Sequence, residues 1–321
     1  MSKRVVGYAL LHKVVINNAN AISSPITFGF PAGTGFTGAI HALSRTMMAD
    51  ERFANLSLGG VLLACFDCTP KIYRESPYRD YTFNQTRNPL KKDGSTASIV
   101  EEGKCNLVMS FVIEVLADDL LSQELSQSLC QFLSQAIFRQ RVAGGSVMGI
   151  GKRGVQYISS VHKDEIIALL MPAFVLMDAS DEFGQLIDNA KSKNPSVTSL
   201  DVLLDVCTLH HIPELDKDGN TKWHTESIKT GHGWLVPMPI GYQAISEIFQ
   251  AGKMANVRNL EYPSQYVEAI YGLGKWVYPH HLKDNIDTAF WRQAYDETGL
   301  YFITQANLDK QQNTLSWQFL K

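Results

Sequence analysis

Little in this chain of 321 residues points to chemistry. It has five cysteines, an odd number, and its one CxxC, Cys65 and Cys68, has no second copy. A thiolate zinc site needs four ligands, so a lone CxxC argues against a zinc ribbon or finger, and a chain this long needs no disulfide framework. The two residues read as small apolar groups ending a buried strand, with reduced thiols. HExxH, GxSxG and GxxxxGK[ST] are all missing, which removes the signatures of zinc proteases, α/β-hydrolases and P-loop nucleotidases. The nine histidines include two adjacent pairs, His210 with His211 and His280 with His281, besides His41, and none has a metal-ligand spacing. No catalytic residue, metal or cofactor is expected. The opening MSKRVVGYALLHKVV lacks a signal-peptide pattern, because His12 and Lys13 break the apolar run. The longest apolar run, Ile166 to Met177, contains Pro172 and is too short to span a bilayer. The expectation is a soluble, cytoplasmic protein without a membrane partner. An excess of positive charge is also missing: the formal net charge is −3, which argues against a freestanding, non-specific nucleic-acid binder but leaves room for a local basic groove.

What is present is globular, at 45% hydrophobic and 19% charged residues. Val5 to Ile16 reads as a first strand, with Val6, Tyr8, Leu10, Val14 and Ile16 on one face. A long polar loop follows. Phe36 to Met48 is a helix, with Phe36, Ile40, Leu43 and Met47 on one stripe and Thr34 as its cap. Leu58 to Phe66 is a second strand. Lys104 to Leu116 is a third, with Leu107, Met109, Phe111, Ile113 and Val115 inward and Asn106, Ser110 and Glu114 outward. Leu120 to Gln140 is a second helix, and Val147 to Ile150 a short fourth strand. Strand, helix, strand, arm, strand, helix, strand is the ferredoxin-like α+β pattern, also used by RNA-recognition domains. The expected division is a ferredoxin-like core over 1–154, with a thumb-like arm at about 69–104, and a C-terminal helical or irregular region over 155–321. In that region His162 to Met177, Leu200 to Leu209 and Tyr262 to Trp276 read as helices, and Lys191 to Thr198 and Glu214 to Thr230 as polar connections.

The stretch between the second and third strands carries the strongest functional signal. Within Lys71 to Lys92, the cations Lys71, Arg74, Arg79, Arg87, Lys91 and Lys92 stand against only Glu75 and Asp80. Asn88-Pro89 and Asp93-Gly94 are turn signals. An enlarged basic hairpin is a device for gripping a phosphate backbone. A second candidate is the glycine loop Gly144, Gly145 and Ser146, flanked by Arg141, Lys152 and Arg153; its rival reading is a helix C-cap with dipole-complementing cations. Asn18, Asn20, Ser23 and Ser24, in the loop after the first strand, offer donors and acceptors to bases or ribose hydroxyls, or form an ordinary hydrogen-bonded loop. The third strand lacks the aromatic signature of sheet-stacking RNA binders, so contact is expected through the arm and loops. The GTGFTG run from Gly33 to Gly38 matches GxGxxG literally. A dinucleotide site needs the strand to feed directly into the glycines, and here a long loop with two prolines intervenes.

With these pieces in place, several ungapped blocks resemble a known family. NANAISSPITFGFPAGTGFTGAIHAL from Asn18, NQTRNPLKKDGSTASIVEEG from Asn84, RVAGGSV from Arg141, GWLVPMPIGYQAIS from Gly233 and GLGKWVYPH from Gly272 run in order across nearly the whole chain. They resemble the Csy-type subunit of type I-F CRISPR surveillance complexes, within the RAMP superfamily. The resemblance is least from Met148 to Ser199. It implies a non-catalytic subunit that pairs with the large subunit and caps the 5′ handle of the crRNA, beside a backbone subunit that covers the spacer. Target DNA would be met through the assembled complex, where base pairing reads sequence. By this resemblance Arg87, Asn88, Lys91 and Lys92 lie in the thumb. The alternatives are a RAMP-type endoribonuclease that processes precursor crRNA and a protein–protein adaptor. Leu235 to Phe249, with its aromatics and prolines, is the candidate surface for the large subunit.

Overall fold

The computed structural model describes residues 3–215, 219–257, 259–283, 285–296 and 298–306. In chain order the first half contains β1 (Arg4–Asn20), α1 (Gly33–Met48), β2 (Ser57–Pro70), β3 (Ile72–Tyr73), β4 (Thr82–Arg87), β5 (Ile99–Glu102), β6 (Lys104–Ala117), α2 (Gln123–Ala136), β7 (Arg141–Val142), β8 (Gly145–Gly149) and β9 (Val155–Ser159). The second half contains α3 (Glu165–Leu170), β10 (Phe174–Asp178), α4 (Ser180–Lys193), α5 (Ser199–Cys207), β11 (His210–Leu215), β12 (Thr221–Glu226), β13 (Trp234–Ala244), β14 (Val267–Val277), β15 (Arg292–Asp296) and β16 (Leu300–Thr304). The fold is mixed α/β, built on one large antiparallel sheet of eleven strands ordered β15-β16-β13-β14-β10-β2-β6-β1-β8-β7, with β9 also on β1. β2 and β6 are antiparallel neighbours from Ser57↔Leu116 to Pro70↔Cys105, and the arm, β3 to β5, is the enlarged connection between them.

The third strand meets expectation on one face only. Leu107, Met109, Phe111, Ile113 and Val115 are buried under α1 and α2. Ser110 and Glu114, expected to face outward, are 0% and 5% exposed. Their face is covered by a second apolar layer in which Val112, Leu10 and Leu62 pack on Ile166, Leu170, Ile286 and Phe290. Alternation marks which residues share a face, and it is silent on what a distant segment lays over the other. The first strand departs further. Register shifts fall between Val5 and Gly7 and between Leu11 and Val14. An extra residue flips every later side chain to the other face. Val6, Val14 and Ile16 therefore join the first core, while Tyr8 and Leu10 join the second.

The C-terminal half, expected to be helical or irregular, holds regular strands as well, since β10 and β13 to β16 extend the same sheet. β9, just beyond the expected boundary at residue 154, pairs with β1, and β10 pairs with β2. Tyr262 to Trp276 holds the strand β14 rather than a helix. Its glycines allow close approach: a Cβ on Gly274 would stand 2.7 Å from Met238 Sδ. His162 to Met177 splits into α3 and β10. α4 arises mostly where no element was expected and reaches only its last residues, from Lys191, into the polar connection read at Lys191 to Thr198, and α5 matches the helix read at Leu200 to Leu209. In the stretch Glu214 to Thr230, β12 forms a separate hairpin with β11, and residues 216–218 lie outside the described residues. α1 starts at Gly33, with Ala32 at the cap position and no side-chain cap from Thr34. α2 is shorter than expected and is capped by Ser122, whose hydroxyl accepts from the Leu125 N–H.

Candidate nucleic-acid interface

The arm is a three-stranded sheet in which β4 pairs with both β3 and β5. Its base is tied to the loop after β1. Ala21 N–H donates to Gly103 O at 2.9 Å, Lys71 N–H to Lys104 O at 2.7 Å, and Phe28 meets Phe83 edge-on at 5.6 Å. Half of the arm's cations are consumed internally. Arg74 donates to Arg79 O and lies over the Tyr81 ring at 4.9 Å, Arg79 pairs with Glu75 at 3.8 Å, and the Lys71 ammonium donates to Asn18 Oδ1. Arg87, at the end of β4, and Asn88, Lys91 and Lys92, in the tip loop, are exposed, with no side-chain partner among the described residues. Asp93 shapes the tip by accepting from Ser95 N–H at 2.9 Å and from its hydroxyl at 2.7 Å.

The glycine loop is a tight hairpin and not a helix C-cap. β7 and β8 pair through Arg141↔Ser146 and Val142↔Gly145. Ala143 and Gly144 form the two-residue turn at φ 48° and 78°, the left-handed pair that suits strand twist. The hairpin is wedged between β1 and α1. Asn20 N–H donates to Ala143 O at 2.9 Å, and a Cβ on Gly35 would stand 3.0 Å from Ala143 Cα. The glycines of the GTGFTG run thus lie inside α1, where Gly35 lets the hairpin approach. Gly145 packs directly on the backbone of β1: a Cβ there would lie 2.6 Å from Ile16 Cγ2 and 2.9 Å from both Ala19 N and Asn17 O. Gly145→Ala must push backbone against backbone, so a loss of about 1–3 kcal/mol is expected in chemical denaturation. Gly149→Ala meets nothing within 4 Å and serves as the matched control.

These elements enclose a cleft of about 420 Å³, lined by Asn20, Ser23, Lys104, Arg141, Gly144 and Tyr242 and by the first turn of α1. No carboxylate lines it. Two cations converge there on a helix N-terminus whose first turn holds no acidic residue, an arrangement that favours anions. Arg141 is held in place by Ser146 Oγ at 3.0 Å and by Gly144 O. Asn18, Asn20, Ser23, Arg141, Gly144, Gly145 and Ser146 are therefore brought together at or beside the cleft. Ser23 and Ser24 bond mainly to Thr27, each within 2.7 Å of its hydroxyl, which makes Ser24 a turn residue. Arg87, Asn88, Lys91 and Lys92 stand apart at the arm tip. Lys152 and Arg153 lie past the far end of β8, beside His12 and Lys13. There burial, and next Arg153, push the His12 imidazole below its ordinary range. The sequence reading missed Lys104 and Tyr242. Lys104 opens β6, where the arm rejoins the sheet, and Tyr242 lay in the aromatic run assigned to a protein partner.

No histidine lines the cleft. His210 pairs with Asp205, His224 with Glu226 at 3.1 Å, and His41 Nδ1 lies 3.1 Å from Gln293 Oε1. Burial, with Cys68 and Asp67 nearby, pushes the Cys65 thiol up to about 12, far from a ready thiolate. Among the described residues no group of three or more His, Cys, Asp or Glu could hold a metal, and no helix is long and apolar enough to cross a membrane.

The family described as "CRISPR-associated protein (Cas_Csy2)" matches residues 9–303. The chain is also 32% identical over 308 residues to "CRISPR-associated protein Csy2" of Pseudomonas aeruginosa (strain UCBPP-PA14), covering 91% of this chain and 93% of that protein. The chain belongs to the Csy2 family of CRISPR-associated proteins. This is the Csy-type membership that the sequence blocks resemble. The Csy2 match takes in the arm, the hairpin and the cleft, and it runs through Met148 to Ser199, where those blocks are weakest.

Proposed function

We propose that this chain is the non-catalytic subunit that holds the crRNA 5′ handle in a type I-F surveillance complex, paired with the large subunit and adjoining the backbone subunit. The observation that carries the reading is the acid-free cleft, where Lys104 and Arg141 converge on the uncapped start of α1. Such a site grips phosphates, and the neighbouring Asn20 and Ser23 offer polar contacts to bases or ribose. The strands β2, β6, β1 and β8, with α1 and α2 on one face, follow the order of a ferredoxin-like RAMP core, and the arm takes the place of its thumb. The second sheet face is filled by C-terminal segments, so RNA follows loops and arm instead of stacking on the sheet. Ile245, Ile248 and Phe249, exposed beyond β13, suit the large subunit.

The test is co-expression of the tagged chain with a CRISPR array and the neighbouring genes, followed by sequencing of the co-purified RNA. The expected result is uniform short RNAs that begin with one constant handle, together with stoichiometric large subunit. Purified protein that carries neither RNA nor a large partner would sink the reading. Cleavage of repeat RNA by this chain alone would replace it with the endoribonuclease alternative.

A further inference from the structure

A second cavity, of about 750 Å³, opens farther along α1 and shares no lining residue with the cleft. Lys3 and Arg4 at the start of β1 and Arg45 on α1 stand around it. None of the three has an ion pair or side-chain hydrogen bond among the described residues. Arg45 also suits the C-terminal end of the α1 dipole, but Lys3 and Arg4 sit on a neighbouring strand and have no such role. Like charges that converge on a concave, partly apolar surface repel one another, and a bound anion relieves this. The floor is of opposite character. Glu114, 5% exposed, accepts from Gly60 N–H at 2.8 Å and from the Arg292 guanidinium. Each carboxylate oxygen is engaged once and keeps a lone pair for a further donor. A Cβ on Gly59 or Gly60 would lie 2.9 Å from Glu114 Oε2, so the two glycines make room for this acceptor. The sides are apolar, with Leu58, Leu116 and Met48.

The ligand that matches is anionic at one end, flat and apolar in the middle, and an N–H donor at the other. We propose that this cavity binds a nucleoside monophosphate unit, phosphate toward Lys3, Arg4 and Arg45 and the base amino group toward Glu114. The inference does not rest on the role of the cleft, and its test needs no assembled complex.

The test is isothermal titration of the full chain at low salt with AMP, CMP, GMP, UMP and inorganic phosphate. Saturable binding is expected for AMP, CMP and GMP, with UMP weaker because its base edge turns carbonyl oxygens toward a carboxylate. Arg4→Ala/Arg45→Ala should weaken binding about tenfold or more, the usual scale for removal of charge-assisted hydrogen bonds. Both side chains are exposed, and an unchanged Tm shows that the variant folds; Arg45→Ala alone should give part of the loss. Lys191→Ala, exposed on α4 and lining neither cavity, should leave the affinity unchanged. A short oligoribonucleotide that displaces the mononucleotide identifies a strand as the source of the unit, and failure to displace identifies free nucleotide; either keeps the site. No saturable binding, phosphate as tight as nucleotide, wild-type affinity in the double variant, an equal loss in Lys191→Ala, or displacement by a polyglutamate peptide would overturn it.

Discussion

Lys104→Ala/Arg141→Gln should weaken the hold on guide RNA by about a hundredfold or more at physiological salt. A hydrogen bond to a charged group contributes about 1.5–3 kcal/mol, and the effects of removing two such bonds multiply. The cleft makes them count, because it brings both cations to one place with no carboxylate to compete. Arg141 also clamps the hairpin through Ser146 and Gly144, so Ser146→Ala is the control for clamping without loss of charge and should cost much less. Arg87→Ala/Lys91→Ala/Lys92→Ala should behave differently. Those side chains are exposed at the arm tip, so their contribution is long-range, screened and additive. The expected mark is a salt dependence shallower by about 0.7 for each phosphate that is no longer neutralised, with a smaller drop in affinity than in the cleft pair. Filter binding of the purified complex across a salt series measures both. Wild-type affinity in the cleft pair would remove the cleft as the RNA site. Wild-type affinity and slope in the arm triple would make the arm a protein-binding element, the adaptor reading.

The reasons why some of this was legible in the sequence and some was not are physical. The inward residues of β6 could be read because alternation at period two reports one face directly. The arm could be read because turn residues and cations cluster locally between two apolar strands. The cleft could be read only in part, since Asn20, Arg141 and Gly144 belong to conspicuous local motifs, while Lys104 and Tyr242 join them only through sheet pairing. β13 and β14 were hidden by their own packing needs. Pro237, Pro239, Gly272 and Gly274 read as breakers, yet all four sit in paired strands, and the glycines there admit Met238 and Ile240. The cations of the arm were valued too uniformly, because sequence cannot show Arg74 laid over Tyr81 or Arg79 beside Glu75 on the surface. Glu114 was the most misleading residue, a carboxylate placed outward by pattern and buried in fact.

That burial sets up the largest expected loss of stability. Arg292→Ala should destabilise the chain by about 3–5 kcal/mol, the cost of leaving one member of a buried pair without its partner. Glu114 is fixed in the middle of the sheet on β6, and Arg292, on β15, reaches it because Trp291 bridges to Val61 on β2 and sends its indole N–H to Leu176 O at 2.9 Å. The pair therefore forms where the C-terminal segment closes over the second sheet face. Glu114→Gln should cost less. Its amide oxygen still accepts the Gly60 N–H, and the Arg292 side chain, 26% exposed, can hydrate through the cavity that it lines. The asymmetry is the useful part: Glu114, 5% exposed at the floor of that cavity, is left without its guanidinium partner, while the more exposed Arg292 keeps water at the cavity wall. Chemical denaturation of the two single variants and of Glu114→Gln/Arg292→Ala gives the cycle. The double variant should be more stable than Arg292→Ala alone, because no buried charge remains uncompensated. Equal stability for Arg292→Ala and the wild type would mean that water reaches Glu114 freely, and the closure of the second face would then rest on Phe290, Trp291 and their apolar neighbours alone.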